Sequence, residues 1–291
     1  MKVTYKAAAK INLMLDILSR LDNGYHSLFM IMQSVSLFDE ITVKKTESGG
    51  ITLSSNEPRI PCDEANIAYK AASAFFNAAG ITDRNVSIHL EKRIPFEAGL
   101  AGGSADGAAV IKALNDIYET GLPETELCKI GAKVGADIPF CLTGGTRAAQ
   151  NIGDVLSPLP DLQECYIVLA KPKAGVSTSK AFGEFDKHGV RHLDTCSMLY
   201  FAANGDFDGI CSKAGNVFEQ LIEVPQRVPI KSVMYDNNAV CACMSGSGPT
   251  CYGIFKNKED AEKAYETLKK DYKETYLCVP VNSGLTKVQA E

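Results

Sequence analysis

The chain has no tryptophan, no C-x-x-C pair and no glycine loop of the Walker type G-x-x-x-x-G-K-[ST]. The missing tryptophan excludes nothing by itself. The missing cysteine pairs matter more, because structural zinc needs clustered ligands. The ten cysteines are scattered, and several lie inside apolar runs at 138–142, 165–169 and 240–244. There a thiol behaves as a small hydrophobe, so they read as reduced core residues of a cytoplasmic protein rather than a disulfide framework. No apolar run approaches the roughly 20 residues of a membrane span. The longest early run, Ile11 to Leu18, is interrupted by Asn12 and Asp16 and does not read as a signal peptide or membrane anchor. A net charge of -5 with no basic stripe argues against nucleic acid as a partner. His188 and His192 are four residues apart, yet they lack the carboxylate of a His-Glu-x-x-His zinc site.

What the chain does have is ordinary bulk and one unusual loop. Its 291 residues are 45% hydrophobic and 22% charged, enough to bury a sizeable core in one large domain or two of common size. Residues 95–109, Pro-Phe-Glu-Ala-Gly-Leu-Ala-Gly-Gly-Ser-Ala-Asp-Gly-Ala-Ala, crowd small side chains between an expected strand, Asn85 to Lys92, and an expected helix, Ser104 to Glu119. Glycines let backbone approach a phosphate closely. The unpaired N–H groups and dipole of a helix N-terminus favour negative charge. The spacing of Gly99, Gly102 and Gly103 does not fit the dinucleotide fingerprint G-x-G-x-x-G. The loop is therefore a candidate phosphate site of another kind, the bland alternative being a tight turn made for close packing.

Elsewhere the pattern reads as strands at Val3 to Ala9, Ile11 to Leu18, Ser27 to Leu37, Ile41 to Lys45 and Ile51 to Ser54, with a turn at Asp22-Asn23-Gly24. Helix signals run from Asp63-Glu64 to Ala79 with Gly80 as a stop. A helix at Glu124 to Val134 is broken by Gly135-Ala136-Asp137-Ile138-Pro139, and Gly144 to Ala149 is extended. Prolines around Leu156 to Pro160 suggest a boundary between a first domain, 1–157, and a second, 158–291. The second domain reads as strand Cys165 to Ala170, helix Thr178 to Phe185, helical patches to Ala203, helix Lys213 to Ile222, strands Ala239 to Met244 and Thr250 to Phe255, helix Lys258 to Tyr272 and strand Tyr276 to Val281. The allegiance of the last strand, to the second domain or back to the first, is left open. Strands and helices mix without strict alternation, which implies an α+β chain of two domains with a cleft between them.

Three separated segments combine with the loop. Ala9-Lys10-Ile11-Asn12-Leu13 places a charge inside an apolar strand. Ala136-Asp137-Ile138-Pro139-Phe140 puts an aspartate in a tight turn, and Ser245-Gly246-Ser247-Gly248-Pro249-Thr250 is a second glycine-rich turn. Taken singly, Lys10 could be a solvated strand-edge lysine and Asp137 a turn residue. Together the four segments resemble the small-molecule kinases of the galactokinase, homoserine, mevalonate and phosphomevalonate (GHMP) superfamily. With Gly24-Tyr25-His26 added, the pattern is most similar to the kinases of 4-diphosphocytidyl-2-C-methyl-D-erythritol, in non-mevalonate isoprenoid biosynthesis. The resemblance spans nearly the whole chain in the expected order.

The resemblance implies a fold, a reaction and a site. The fold would pair an N-terminal domain like ribosomal S5 domain 2 with a ferredoxin-like C-terminal domain, the active site lying in their cleft. The reaction would move a phosphoryl group from ATP, with Mg²⁺, to the 2-hydroxyl of the cytidyl substrate. Asp137 would take or orient the hydroxyl proton. Lys10 would keep Asp137 ionised and stabilise developing charge, and Asn12 would help hold substrate. The loop residues Pro95, Gly99, Leu100, Ala101, Gly102, Gly103, Ser104 and Ala105 would cradle ATP phosphates, and Asn66 would lie near the adenine. Ser245, Gly246, Ser247 and Gly248 would form the third glycine motif. Tyr25 and Phe182 would stack on the cytosine with His26 at its edge, and Thr178 would contact substrate phosphate. No metal ligand is assigned. Three positions depart from the family loop, where Gly is usual at Ala101, Ser at Ala105 and Ala at Gly107. A Cβ at Ala101 is tolerable there only with negative φ. Asp106 is expected to act as a first-turn helix charge rather than a metal ligand. The implied partner is a small molecule carrying a cytidine diphosphate, with monomer or homodimer both open. Two other readings are another GHMP small-molecule kinase and a nucleotide-binding sensor that has lost catalysis.

Overall fold

The computed structural model describes residues 1–22, 24–173 and 175–290. Asn23, central to the expected Asp22-Asn23-Gly24 turn, lies outside the described residues. Two very long strands organise the N-terminal part, β1 (Lys2–Arg20) and β2 (His26–Lys45). Each was expected as two shorter strands. They are continuous because β-bulges, not turns, absorb the irregularities: the β1–β2 register shifts at Ala8/Ala9, Asn12/Met14 and Ile17/Ser19. Bulges re-aim side chains without ending a strand. Lys10 and Asn12 lie between the first two bulges, two residues apart, and so share one face.

Then follow β3 (Ile51–Ser55), α1 (Ile67–Ala79) and β4 (Val86–Glu91). After them come α2 (Gly102–Ile117), α3 (Glu124–Ala132), a short α4 (Ile138–Thr143), β5 (Thr146–Gln150) and β6 (Val155–Pro158). The α4 helix was not expected. Asp137 is its N-cap residue and Pro139 sits in its first turn, where the missing N–H costs nothing. In the first sheet β4 lies beside β2 and carries β3 in parallel, while β5 joins β2 and β6 joins β5.

The second sheet has the order β11 (Glu274–Cys278), β7 (Tyr166–Lys171), β10 (Cys251–Phe255), β9 (Cys241–Met244), all antiparallel. Helices α8 (Arg227–Asp236) and α9 (Lys258–Asp271) pack on it through Ile230, Met234, Ala261, Ala264 and Leu268. With these helices the order makes a ferredoxin-like unit. Between β7 and α8 lie α5 (Thr178–Lys187), α6 (Thr195–Ala203), α7 (Phe207–Lys213), the two-residue β8 (Gly215–Asn216) and a 3₁₀ turn over Val217–Gln220.

That segment corrects the expected helix Lys213 to Ile222. Gly215 and Asn216 add a parallel stub to β1, and the Asn216 side chain makes the bonds a helix would have left unmade. Its oxygen accepts from Phe218 N, and its amide donates to the carbonyls of Met244 and Gly246 at 2.8 and 2.7 Å. The expected last strand stays in the second sheet as β11, and a further strand that was not expected, β12 (Leu285–Ala290), pairs antiparallel with β1.

The cores of the two parts merge. Leu15, Ile17, Met30 and Met32 of the long strands pack with Phe140, Phe218 and Met244. This double-sided burial explains the runs of apolar residues in β1, which showed no clean alternation.

Candidate active site

The glycine loop is built as a strand, a turn and a helix start, with α2 beginning at Gly102, two residues before the expected position. Ala101 is the N-cap at φ 59°, in the left-handed region, so the expected negative φ is corrected. An alanine there costs about 1–2 kcal/mol. The position is held from below, because Lys10 N donates to the Leu100 carbonyl at 3.1 Å and the Leu100 side chain is buried. Ala105 is likewise buried, in the first turn.

Beneath the loop, Lys92 is buried with two carboxylates. Its ammonium bonds Asp39, the Gly102 carbonyl and Asp106 (2.5 Å). Asp39 also accepts from Arg93 N and Ile94 N. Burial alone would depress Lys92; the two carboxylates outweigh it and hold the ammonium above its usual range. Burial pushes Asp106 up to about 8, against the pull of Lys92 and with Asp39 adding to the rise. One Asp106 carboxyl oxygen has no hydrogen-bond partner among the described residues. Because α2 begins at Gly102, Asp106 is its fifth residue rather than a first-turn charge.

The second glycine turn packs onto the first. Ser245 Oγ donates to the Gly99 carbonyl at 2.9 Å. Gly99 and Gly246 take φ of 74° and 57°. From the other side Thr178 and Ser247 join hydroxyls at 2.9 Å, tying α5 to this turn.

Lys10 is 4% exposed and Asp137 32%, with Lys10 Nζ 3.9 Å from Asp137 Oδ2. Lys10 also donates to Asn12 Oδ1 at 2.7 Å. Gly246 N donates to the same oxygen at 2.9 Å, and the Asn12 amide donates to Met30 sulfur at 3.3 Å. Asn12 is fully buried and reaches the cleft only through these neighbours.

A cleft of about 980 Å³ gathers most of these groups. Its walls include Lys10, Asp137, Asn66, Pro95, Gly99, Ala101 to Ser104, Gly246 and Ser247, and also Tyr25, His26, Thr178 and Phe182. Asn12, Leu100, Ala105 and Ser245 stand behind the wall, while Gly248 faces an adjoining recess. Asn66 is engaged as the N-cap of α1, accepting from Ala68 N and donating to the Pro61 carbonyl. Tyr25 is 61% exposed, and His26 is 8% exposed. Phe182 stacks on the His26 ring, with centroids 4.9 Å apart.

Sequence reasoning missed Lys92, Asp39, Asn216 and Asp186. Asp186 bonds His26 at 2.8 Å. A signal existed for it: it follows Phe182 by four residues and so shares its helix face. None existed for the Asp39–Lys92 contact, which joins β2 to the segment just after β4, far apart in sequence.

Profiles described as "GHMP kinases N terminal domain" and "GHMP kinases C terminal" match residues 66–145 and 203–274. The chain is 42% identical to a 4-diphosphocytidyl-2-C-methyl-D-erythritol kinase of Clostridium acetobutylicum, over 94% of this chain and 98% of the relative. It is 43% identical to the enzyme of the same description from Alkaliphilus oremlandii, over 98% and 99%. A crystal structure of 4-(cytidine 5'-diphospho)-2C-methyl-D-erythritol kinase superposes with a TM-score of 0.78 at 30% identity, covering 95% of this chain and 98% of that one. Homoserine kinase from Cytophaga hutchinsonii shares the fold alone, with a TM-score of 0.81 at 18% identity over 99% and 97% of the two chains.

Proposed function

The chain belongs to the 4-diphosphocytidyl-2-C-methyl-D-erythritol kinase family of GHMP kinases, and from that premise we propose how its cleft carries out the family's reaction. The enzyme transfers the γ-phosphoryl group of ATP to the 2-hydroxyl of 4-diphosphocytidyl-2-C-methyl-D-erythritol, giving the 2-phosphate and ADP, a step of non-mevalonate isoprenoid biosynthesis. One observation carries the assignment of roles: a single cleft is lined by the Lys10–Asp137 pair, the glycine loop and the aromatic group around His26.

Phosphoryl transfer needs a positioned hydroxyl, a cradle for the phosphates and relief of charge at the transferred group. Asp137, partly exposed and facing Lys10, orients the substrate hydroxyl and accepts its proton. Lys10 spends one of its three donors on Asn12. The others remain for Asp137 and for the negative charge that grows on the phosphoryl oxygens. Asn12 acts on the substrate by holding Lys10 and the Gly246 N–H in place. Backbone N–H groups from Gly99 to Ser104, at the start of α2, hold the ATP phosphates. Asn66 borders the adenine. Tyr25, His26 and Phe182 take the cytosine, and Thr178 lies on the path to the diphosphate.

Mg²⁺ fits as a passenger of the triphosphate. It is commonly held by phosphates, water and one or two protein oxygens. Among the described residues no group of three or more His, Cys, Asp or Glu side chains could hold a metal by itself. The Ser104 hydroxyl, at the mouth of the loop and without a hydrogen-bond partner among the described residues, is the protein oxygen best suited to join it. Bound there, the ion would neutralise charge between the phosphates.

Residues 1–157 form the ATP-side domain and 158–291 the other, with β12 returned to the first sheet. Among the described residues no helix is long and apolar enough to cross a membrane. Ten free cysteines support a reducing, cytoplasmic location.

The direct test is ADP release by purified protein with Mg-ATP and the cytidyl substrate, run beside homoserine and mevalonate. Turnover with the cytidyl substrate alone is expected. ATP binding without turnover on any of the three would favour a sensor instead.

A further inference from the structure

Asn216 stands behind the cleft, 5% exposed and not part of its walls. It is the second residue of β8, paired in parallel with Leu15 of β1. Its amide can sit only one way round. Phe218 N donates to the side-chain oxygen at 3.0 Å. The NH₂ group is therefore turned to the two carbonyls it donates to, Met244 at 2.8 Å and Gly246 at 2.7 Å. Gly246 is thereby held at both ends, since its N–H donates to Asn12 Oδ1 at 2.9 Å. Lys10 Nζ donates to that same oxygen at 2.7 Å and lies 3.9 Å from Asp137. An amide oxygen has two lone pairs, and these two donors take both. The Asn12 NH₂ group donates to Met30 sulfur, a weak acceptor. The two donors on the oxygen therefore decide which way round the Asn12 amide sits. The backbone of Asn12 is fixed separately, its carbonyl accepting from the Tyr252 hydroxyl at 2.9 Å.

We propose that Asn216 is a positioning residue for phosphoryl transfer: by pinning the Gly246 carbonyl it holds the Gly246 N–H on Asn12, and through Asn12 it sets Lys10 against Asp137. The proposal rests on the reading that Lys10 and Asp137 carry the chemistry. Gly246 has no side chain to anchor it and takes a φ of 57°, so its place depends on the bonds its backbone makes. With the carbonyl released, the turn can pivot and Asn12 loses one of the two donors that orient it. Turned over, the Asn12 amide would set its NH₂ group against the Lys10 ammonium. Donor would then face donor, and Lys10 would be pushed off its position beside Asp137. Asn216 lies outside the cleft walls, so this effect falls on kcat through Lys10 and not on the binding of either substrate.

The test uses the full-length enzyme and two substitutions that keep an acceptor for Phe218 N but lose the donors to the glycine turn. Serine and aspartate cap a helical turn about as well as asparagine. Asn216→Ser leaves the two carbonyls without the amide, and Asn216→Asp sets a carboxylate against them. In Asn216→Ser kcat should fall roughly ten- to a hundred-fold, the scale of a small misplacement of reacting groups. Asn216→Asp should lose more. If only the cap mattered, Asn216→Asp would match wild type. KM for ATP and for the cytidyl substrate should change much less than kcat. Urea unfolding reports whether each variant is folded, and if Asn216→Asp is not, Asn216→Ser decides. The deciding readout is the single-turnover rate of Asn216→Ser in a Lys10→Ala background. No further loss is expected there, because a residue that acts through Lys10 has nothing left to position. A residue that only supports the fold would cost the same with or without Lys10. A near-normal kcat in Asn216→Ser, or an equal loss in the two backgrounds, overturns the proposal. Lys10→Ala separates the two levels. If Lys10→Ala is slow while Asn216→Ser is not, only the role of Asn216 falls. If Lys10→Ala turns over near normally, the reading of the site falls and the proposal with it.

Discussion

Gly99 and Ser245 meet backbone against backbone, joining the first glycine turn to the second. A Cβ built on Gly99 would lie 2.2 Å from the Ser245 carbonyl oxygen, and one on Gly246 would lie 2.9 Å from the Gly99 carbonyl oxygen. No flexible side chain is available to yield, so Gly99→Ala must push one turn off the other. The Asn12 bond to Gly246 N would shift with it. We expect kcat/KM for ATP to fall on the order of a hundred-fold, the scale of an ångström-sized misplacement of reacting groups. Gly121→Ala is the control, because Gly121 also has positive φ but its Cβ would meet nothing within 4 Å. Equal kinetics in the two variants would mean that contact between the turns is irrelevant to ATP use.

Lys10 and Asp137 should behave as a unit. Asp137→Asn keeps the shape and the N-cap position but removes the proton acceptor. Lys10→Ala removes the cation between Asp137 and Asn12. Each should lower kcat by roughly 10²–10⁴-fold, as expected when acid–base or electrostatic stabilisation is lost, with smaller changes in KM. The double variant should cost little more than either single one, because groups acting together are strongly non-additive. Single-turnover rates measured at saturating substrates decide this. A near-normal rate in either single variant removes that residue from the chemistry.

Most of this site was legible because its residues sit in short contiguous motifs whose chemistry is local. Glycine spacing, a lysine within an apolar strand and an aspartate in a turn each announce themselves. The α5 helix and the strands of the second sheet were readable from periodicity for the same reason. The failures have physical causes. Bulges let β1 and β2 continue where a break was expected, since a bulge leaves little mark in composition. Gly215-Asn216 became a strand stub because Asn216 found tertiary partners at Met244 and Gly246, which override local helix preference. The α8 helix was hidden by Pro225 and Pro229, although a proline is harmless in a first turn. Ala101 shows the same limit: tertiary packing holds it at a φ that its own side chain disfavours.

Ala101→Gly tests that last point. Glycine adopts φ 59° without a steric penalty, while it costs the unfolded chain more entropy. The first effect should exceed the second slightly, because alanine in the left-handed region costs about 1–2 kcal/mol. A gain of roughly 0.5–1 kcal/mol in urea unfolding is expected, with kcat little changed because the loop's backbone path is kept. Destabilisation would show that the Ala101 methyl makes packing contacts worth more than the strain it imposes.

Asp106 offers a prediction whose sign depends on pH. Its carboxyl is held up to about 8 by burial, beside Asp39, while in the unfolded chain it titrates near the ordinary value of about 3.9. Between those values the folded protein binds a proton that the unfolded chain has released. The contribution of Asp106 to stability is therefore fully present below about pH 4 and is lost as pH rises towards 8. Lys92 does not obscure this, since its contribution, raised above the usual lysine range, is lost only at still higher pH. Asp106→Asn imitates the protonated carboxyl at every pH. The stability of wild type relative to Asp106→Asn should fall as pH rises from about 5 to 8, by at most about 1.4 kcal/mol per pH unit for one proton. Groups common to both proteins cancel in that difference. Urea unfolding at several pH values measures it, and a difference that does not change with pH would mean that Asp106 is ionised throughout and that Lys92 alone neutralises two carboxylates beneath the phosphate loop.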